Sequence, residues 1–205
     1  HYRHGTQAPL VRRLRPRGIR HRAVEAAKPL ASYRISSLNR KRDHQRMEIF
    51  VLDKHGAAHP IRYVGDPVLH HPCAEVTDFG DELAQLIEDM FASMYAAEGV
   101  GLAANQIGIP LRVFVYDCPD ADEEKQLGHV VNPVLVDVPL TESELVEHDE
   151  GCLSVLGQRA NLARPFLAVV RGADKTGTPI EVEGTGMLAR CFHHETDHLN
   201  GRFYI

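Results

Sequence analysis

One stretch constrains this chain more than any other: His193-His194-Glu195-Thr196-Asp197-His198-Leu199-Asn200-Gly201. His194 and His198 are four residues apart, which on an α-helix puts two imidazoles on one face, one turn from each other. Two nitrogen donors so placed can share one cation. Glu195 follows the first of them, so its carboxylate can lie beside the ion without having to bind it. That is the layout of a metal-assisted hydrolase, in which the ion acidifies a water and a carboxylate moves its proton. The bland alternative is a surface helix that happens to carry two histidines and two acids. The apolar flanks Met187, Leu188, Phe192 and Leu199 argue for a buried helix instead, and buried acids and imidazoles need partners. Gly201 fits the position just past a helix C-terminus.

Two imidazoles leave a catalytic metal short of protein ligands, because such sites usually take three and keep one position for water. The chain has four cysteines, Cys73, Cys118, Cys152 and Cys191, and none forms a Cys-x-x-Cys pair, so no structural zinc knuckle is expected. Cys152 sits in Glu150-Gly151-Cys152-Leu153-Ser154, where the glycine lets the backbone come close to a bound atom. Most free cysteines are small buried hydrophobes, and spacing alone does not choose Cys152 over Cys191.

Three segments together carry a resemblance. Gly99-Val100-Gly101-Leu102-Ala103-Ala104-Asn105-Gln106, Glu150-Gly151-Cys152-Leu153-Ser154 and His194-Glu195-Thr196-Asp197-His198 resemble, in order, the three signature motifs of the peptide deformylases. The likeness runs from about Tyr63 to the C-terminus. It implies that Cys152, His194 and His198 hold one divalent metal, usually Fe2+ in that family and replaceable by Zn2+, Ni2+ or Co2+. It implies hydrolysis of the N-formyl group of formyl-methionine on nascent peptides, with formate released. Glu195 would take the proton of the attacking water and return it to the leaving amine. The Gln106 side-chain amide and the Leu153 backbone N–H would hold the oxyanion, since an amide donates without being charged. The Val100-Gly101 backbone would bind the peptide. In the family the second-motif glutamate pairs with downstream arginines, and Glu150 has Arg159 and Arg164 at matching separations. Such a pair would brace the Cys152 loop, whereas an ordinary surface ion pair would contribute little. One departure is His193, where bacterial relatives commonly carry Gln; it reads as either a stray ligand or a packing residue. The chain also stops at Ile205, where family members usually continue, so the C-terminus reads as truncated.

Helical spacing adds a pocket. Met187, Cys191, His194 and His198 fall at i, i+4, i+7 and i+11, on one face. With Val100 the first two make an apolar lining for an unbranched side chain, in agreement with the methionine that the resemblance implies. Plain core packing would explain each of them singly.

Charge divides the chain. Residues 1–46 hold 13 Lys+Arg against 2 Asp+Glu, a balance of +11, and residues 47–205 carry −16, giving the net −5. The basic stretch is proline-dotted, lacks a sustained apolar period and precedes the first methionine, Met47. It reads as a disordered extension: upstream sequence ahead of a start at Met47, an organellar transit segment, or an arm that touches RNA weakly. Residues 47–205 read as the catalytic domain. An acidic body disfavours nonspecific nucleic-acid binding by the folded domain, and no specific nucleic-acid partner is expected. No apolar run approaches the roughly 18 residues that cross a bilayer, and scattered cysteines fit a reducing compartment. The resemblance implies transient contact with the ribosome, and with these features the expectation is a cytoplasmic monomer, or an organellar one if the arm is a transit peptide.

The local patterns predict an α+β fold, with antiparallel sheets around a central metal-binding helix and a second helix nearer the N-terminus. That second helix is expected from Asp81 to Glu98, capped by Asp78, stopped by Gly99 and apolar along Leu83, Leu86, Ile87, Met90, Met94 and Tyr95. Ile49–Leu52, Arg112–Tyr116, Val130-Val131, Val134–Val136 and Phe166–Arg171 read as strands, and Ile180–Glu183 pairs back on the last as a hairpin. Asp120–Glu124 reads as a solvated acidic turn, and Thr185 as the N-cap of the metal helix. Two other readings compete on function. A zincin-type metallopeptidase shares the His-Glu-x-x-His helix but takes a third His or acid downstream, and none follows His198. A metal-stabilised binding module would give Glu195 and Gln106 no reason to be polar.

Overall fold

The structure is a computed structural model that describes residues 56–139 and 141–204. The expectations for residues 1–46 and for a strand at Ile49–Leu52 lie outside the described residues. Among the described residues two α-helices, α1 (Asp81–Ala96) and α2 (Met187–Leu199), accompany seven strands. These are β1 (Gly101–Ala103), β2 (Val113–Pro119), β3 (Lys125–Val136), β4 (Leu145–Cys152), β5 (Val155–Pro165), β6 (Leu167–Ala173) and β7 (Pro179–Thr185). Among the described residues the strands form a five-stranded sheet in the order β1-β2-β3-β6-β7 and a separate two-stranded sheet, β4-β5. Every pairing between these strands is antiparallel, with one isolated parallel bridge, Ala74 to Leu111, outside them, so the α+β reading holds.

β2 divides the core. Successive side chains of a strand face opposite ways. Val113 and Val115 therefore join the cluster under α1, with Leu83, Ile87, Met90 and Met94, while Phe114, Tyr116 and Cys118 join the cluster under α2, with Leu188, Cys191, Phe192 and Leu199. A strand covered on both faces reads as continuous apolar sequence, as Val113-Phe114-Val115-Tyr116 does. Phe192 is fully buried against Phe114 and Tyr116, at ring-centroid distances of 5.9 and 5.1 Å. Burying one such ring stabilises the fold by about 1.5–3 kcal/mol. The C-terminal end of α2 is tied to the sheet by Arg112, which donates to Asn200 Oδ1 at 3.0 Å and to the Pro133 carbonyl at 3.0 Å.

Four local expectations need correction. α1 is capped by Gly80 rather than Asp78, with no side-chain cap. It stops before Gly99: Ala97 is the C-cap, and Glu98 takes the left-handed turn at φ 55°. The N-cap of α2 is Gly186, while Thr185 Oγ1 accepts the Ala121 N–H at 3.2 Å. Asp120 is 6% exposed and accepts from Asp122 N, Glu124 N and Gln126 Nε2, so it organises the acidic turn rather than being solvated in it.

The connection from β3 to its neighbour β6 is the whole β4-β5 hairpin, carried away from the main sheet. Its tight end, Cys152 paired with Val155, lies beside α2. The site is built at that meeting.

Candidate metal centre

Cys152 Sγ, His194 and His198 lie within 4.8 Å of one another, and theirs is the single such cluster of three donor residues among the described residues. His198 Nε2 stands 3.1 Å from Cys152 Sγ and 3.1 Å from His194 Nε2. Of the two cysteines, it is the Cys152 sulfur that joins the imidazoles. Cys191 Sγ points instead to the Val100 carbonyl at 3.9 Å, and a hydrogen bond with Cys118 and then burial push its thiol well above the ordinary range. His193 stays outside the cluster, and burial lowers its pKa.

His194 is oriented by a neighbour, whereas His198 Nδ1 is buried with no hydrogen-bond partner among the described residues. Glu150, 5% exposed, accepts from His194 Nδ1 at 2.6 Å, which leaves Nε2 facing the other donors. Arg164 grips the same carboxylate at 2.9 and 3.3 Å and reaches Asp197 at 2.7 Å. Burial alone would raise the pKa of Glu150, but the hydrogen bonds to His194 and Arg164 outweigh it and hold the carboxyl well below the usual range. Arg159 does not join this group as expected; it pairs with Asp149 on the neighbouring exposed position. β-strand alternation explains the miss, since Asp149 and Glu150 face opposite ways. Its place is taken by Arg190, which donates to Glu150 Oε2 at 2.9 Å. Two further residues escaped the sequence reading. Asn105 Nδ2 donates to the His198 carbonyl at 2.7 Å, and Ser154 Oγ accepts from Gln106 Nε2 at 3.1 Å. Asn105 and Ser154 sit inside the first and second motifs, so their polarity at buried positions was the available signal; Arg190 offered none beyond its place one turn before His194.

The chemistry of the donors suits a cation. Burial works against a charged His194, yet hydrogen bonds to Cys152 and Glu150 push its pKa up to about 10. Neighbours that hold a proton so firmly also attract a metal ion. His198, driven well below its ordinary value by burial and then by His194, is a neutral ring ready to ligate. Cys152 Sγ accepts the Ser154 N–H at 3.3 Å and lies 3.8 Å from Gln106 Nε2, contacts that fix where the sulfur sits. Glu195 Oε2 is buried with no hydrogen-bond partner among the described residues, an oxygen left free for a water or ligand. Burial pushes the Glu195 carboxyl up to about 7.

A cavity of about 350 Å³ opens onto these groups. Val100, Gly101, Met187 and Cys191 line it beside Gln106, Leu153 and Glu195, as expected. Arg159 lines it too, although it does not pair with Glu150. Gly101 is required by close approach, because a Cβ there would run into Glu195 Oε1 and Cys191 Sγ. β1 has β2 as its one neighbour among the described residues, so its outer edge is open on the cavity side.

A thiol and two imidazoles around one point, with a buried carboxylate alongside in an α+β fold, define a metal-dependent hydrolase. A family model described as polypeptide deformylase matches residues 58–205. Peptide deformylase 2 of Streptomyces coelicolor is 59% identical over 150 residues, covering 73% of this chain and 82% of the relative. A peptide deformylase structure from Legionella pneumophila aligns with a TM-score of 0.65 at 40% identity, covering 72% of this chain and 84% of that one. The Met-Ala-Ser-bound class I type b peptide deformylase of Acinetobacter baumannii aligns at 0.66 and 30% identity, covering 73% and 97%. The chain belongs to the polypeptide deformylase family. Its activity is hydrolytic removal of the formyl group from N-formyl-methionyl peptides. The zincin alternative is not favoured: the third donor is the upstream Cys152.

Proposed function

We propose that Cys152, His194 and His198 hold one divalent metal, Fe2+ in the cell, with Zn2+, Ni2+ or Co2+ able to replace it. The observation that carries this reading is the convergence of one sulfur and two imidazole nitrogens within 4.8 Å. When bound, such an ion acidifies a water and polarises the formyl carbonyl. Glu195 takes the water's proton, a task suited to a carboxyl pushed up to about 7, and returns it to the amine as the C–N bond breaks. Gln106 Nε2 and the Leu153 N–H, both at the cavity, donate to the oxygen that gains charge. The peptide lies along the open edge of β1, where the Val100-Gly101 backbone pairs with it, and its methionine side chain enters between Val100, Met187 and Cys191. The products are formate and a free methionyl amine. The Met-Ala-Ser carried by the Acinetobacter relative is the product of a formylated peptide of that sequence, which supports this substrate class.

The substrates are nascent chains, met at the ribosome by a transiently docked monomer in the cytoplasm. No helix among the described residues is long and apolar enough to cross a membrane. The family match beginning at residue 58 supports treating 47–205 as the catalytic unit and 1–46 as a separate basic extension. The test is formate release from formyl-Met-Ala-Ser by protein loaded with Fe2+ or Ni2+. Turnover that follows metal occupancy and disappears in Cys152→Ala is expected. Full turnover in Cys152→Ala would refute the ligand set.

A further inference from the structure

Arg190 lies one turn before His194 on α2, on the same helix face, and its side chain is 9% exposed. It makes three hydrogen bonds: Nη1 to Glu150 Oε2 at 2.9 Å, Nη1 to the Leu162 carbonyl at 3.0 Å, and Nη2 to the Val146 carbonyl at 2.7 Å. Val146 is on β4 and Leu162 on β5. These strands pair with each other and, among the described residues, with no strand of the main sheet. Thus one guanidinium fastens both strands of the hairpin that delivers Cys152 to the helix that delivers His194 and His198. The same group completes the carboxylate on which His194 Nδ1 rests.

We propose that Arg190 is a positioning residue for the metal centre, setting the separation of the Cys152 thiol from the two imidazoles and aiming His194 through Glu150. The proposal rests on Cys152, His194 and His198 being the metal ligands. A planar fork spans two backbone carbonyls and a carboxylate at once, which a lysine ammonium, a point charge on a flexible stem, does not. Arg164, itself on β5, also reaches Glu150 and ties that strand to α2 through Asp197, but its side chain grips no main-chain group of β4. Without Arg190 the Val146 and Leu162 carbonyls lose their tie to α2, and Glu150 loses a donor that fixes its plane.

The experiment measures metal dissociation by chelator competition for the wild type, Arg190→Met and Arg190→Lys. Each is also followed by the visible spectrum of the Co2+-loaded protein and by its thermal midpoint. In Arg190→Met dissociation is expected to quicken about ten- to hundredfold, with shifted cobalt bands, and Arg190→Lys should fall between. In combination with Glu150→Gln the effect on dissociation should be less than additive, because both act on His194. A lowered midpoint with wild-type dissociation and wild-type cobalt bands means that Arg190 merely holds the fold, and overturns the proposal. If Arg190→Met does not fold, the same two readouts on Arg190→Lys decide, with wild-type values again overturning it. A wild-type chain that takes up no cobalt at all overturns the ligand assignment itself, a separate result from unchanged dissociation in the variants.

Discussion

Glu195 combines a buried carboxyl with one oxygen that no neighbour satisfies, an arrangement costly to keep unless that oxygen is used. Glu195→Gln preserves the shape and removes the base. Turnover is expected to fall by about 10²–10⁴ with metal content unchanged, read by formate release beside elemental analysis. Tyr95 gives a pH test away from the site. Tyr95 is 52% exposed, so solvent weakens the effect, but its hydroxyl donates to Asp117 Oδ2 at 2.7 Å, and partial desolvation followed by that bond pushes its pKa from 10.0 up to about 12. A raised pKa means that the folded state holds the proton more tightly. The stability involved is therefore complete below about 10 and lost as pH rises through about 12. Tyr95→Phe should flatten that alkaline decline, and tyrosinate absorbance should lose a late-titrating phenol. At this scale the sequence was most readable where a pattern encodes geometry. The spacing of His194 and His198 placed both rings, and the second motif placed Cys152 once the resemblance was drawn. Arg190 was not readable, because its partners, Glu150 and two main-chain carbonyls, are distant in the chain and no local pattern reveals them.

The helices followed their apolar periods, and their ends did not follow the obvious capping residues. α1 closes with Gly99 N bonded to the Met94 carbonyl and Glu98 N to that of Tyr95, which puts the left-handed position on Glu98 and not on the glycine beside it. Glu98→Gly should raise stability by about 0.5–1 kcal/mol, visible as a higher thermal midpoint; a lower one would show that the Glu98 side chain makes a contact worth more than the backbone strain. Phe192 is the opposite case, an interior ring between α2 and β2. Phe192→Ala should cost about 3–5 kcal/mol in denaturant unfolding, and the altered packing of α2 should be felt at the ligands it carries. Strand β5 escaped the sequence reading because its exposed and half-buried residues alternate without a strong apolar set, its pairing with β4 being the main thing that orders it.

Across the whole molecule, the main sheet and α1 form their own core, whereas the β4-β5 hairpin is a small sheet fixed to α2 chiefly through Glu150, Arg164 and Arg190. The fold class was legible because alternating strands and two amphipathic helices admit few arrangements. The detachment of the hairpin was not, since strand order depends on pairings between segments far apart in the chain. Stripping the metal with a chelator should lower the thermal midpoint and speed amide exchange in β4 and β5 before the main sheet; uniform exchange with an unchanged midpoint would contradict this. Cys152 and His198 stand 46 residues apart along the chain yet 3.1 Å apart in space. An ion shared between them is therefore a removable cross-link, closing a loop whose entropy, by analogy with a disulfide of that span, corresponds to at most about 4 kcal/mol. The cation that serves the chemistry would thus double as a fastener for the architecture, so that starvation for metal would expose the enzyme to proteolysis as well as silence it.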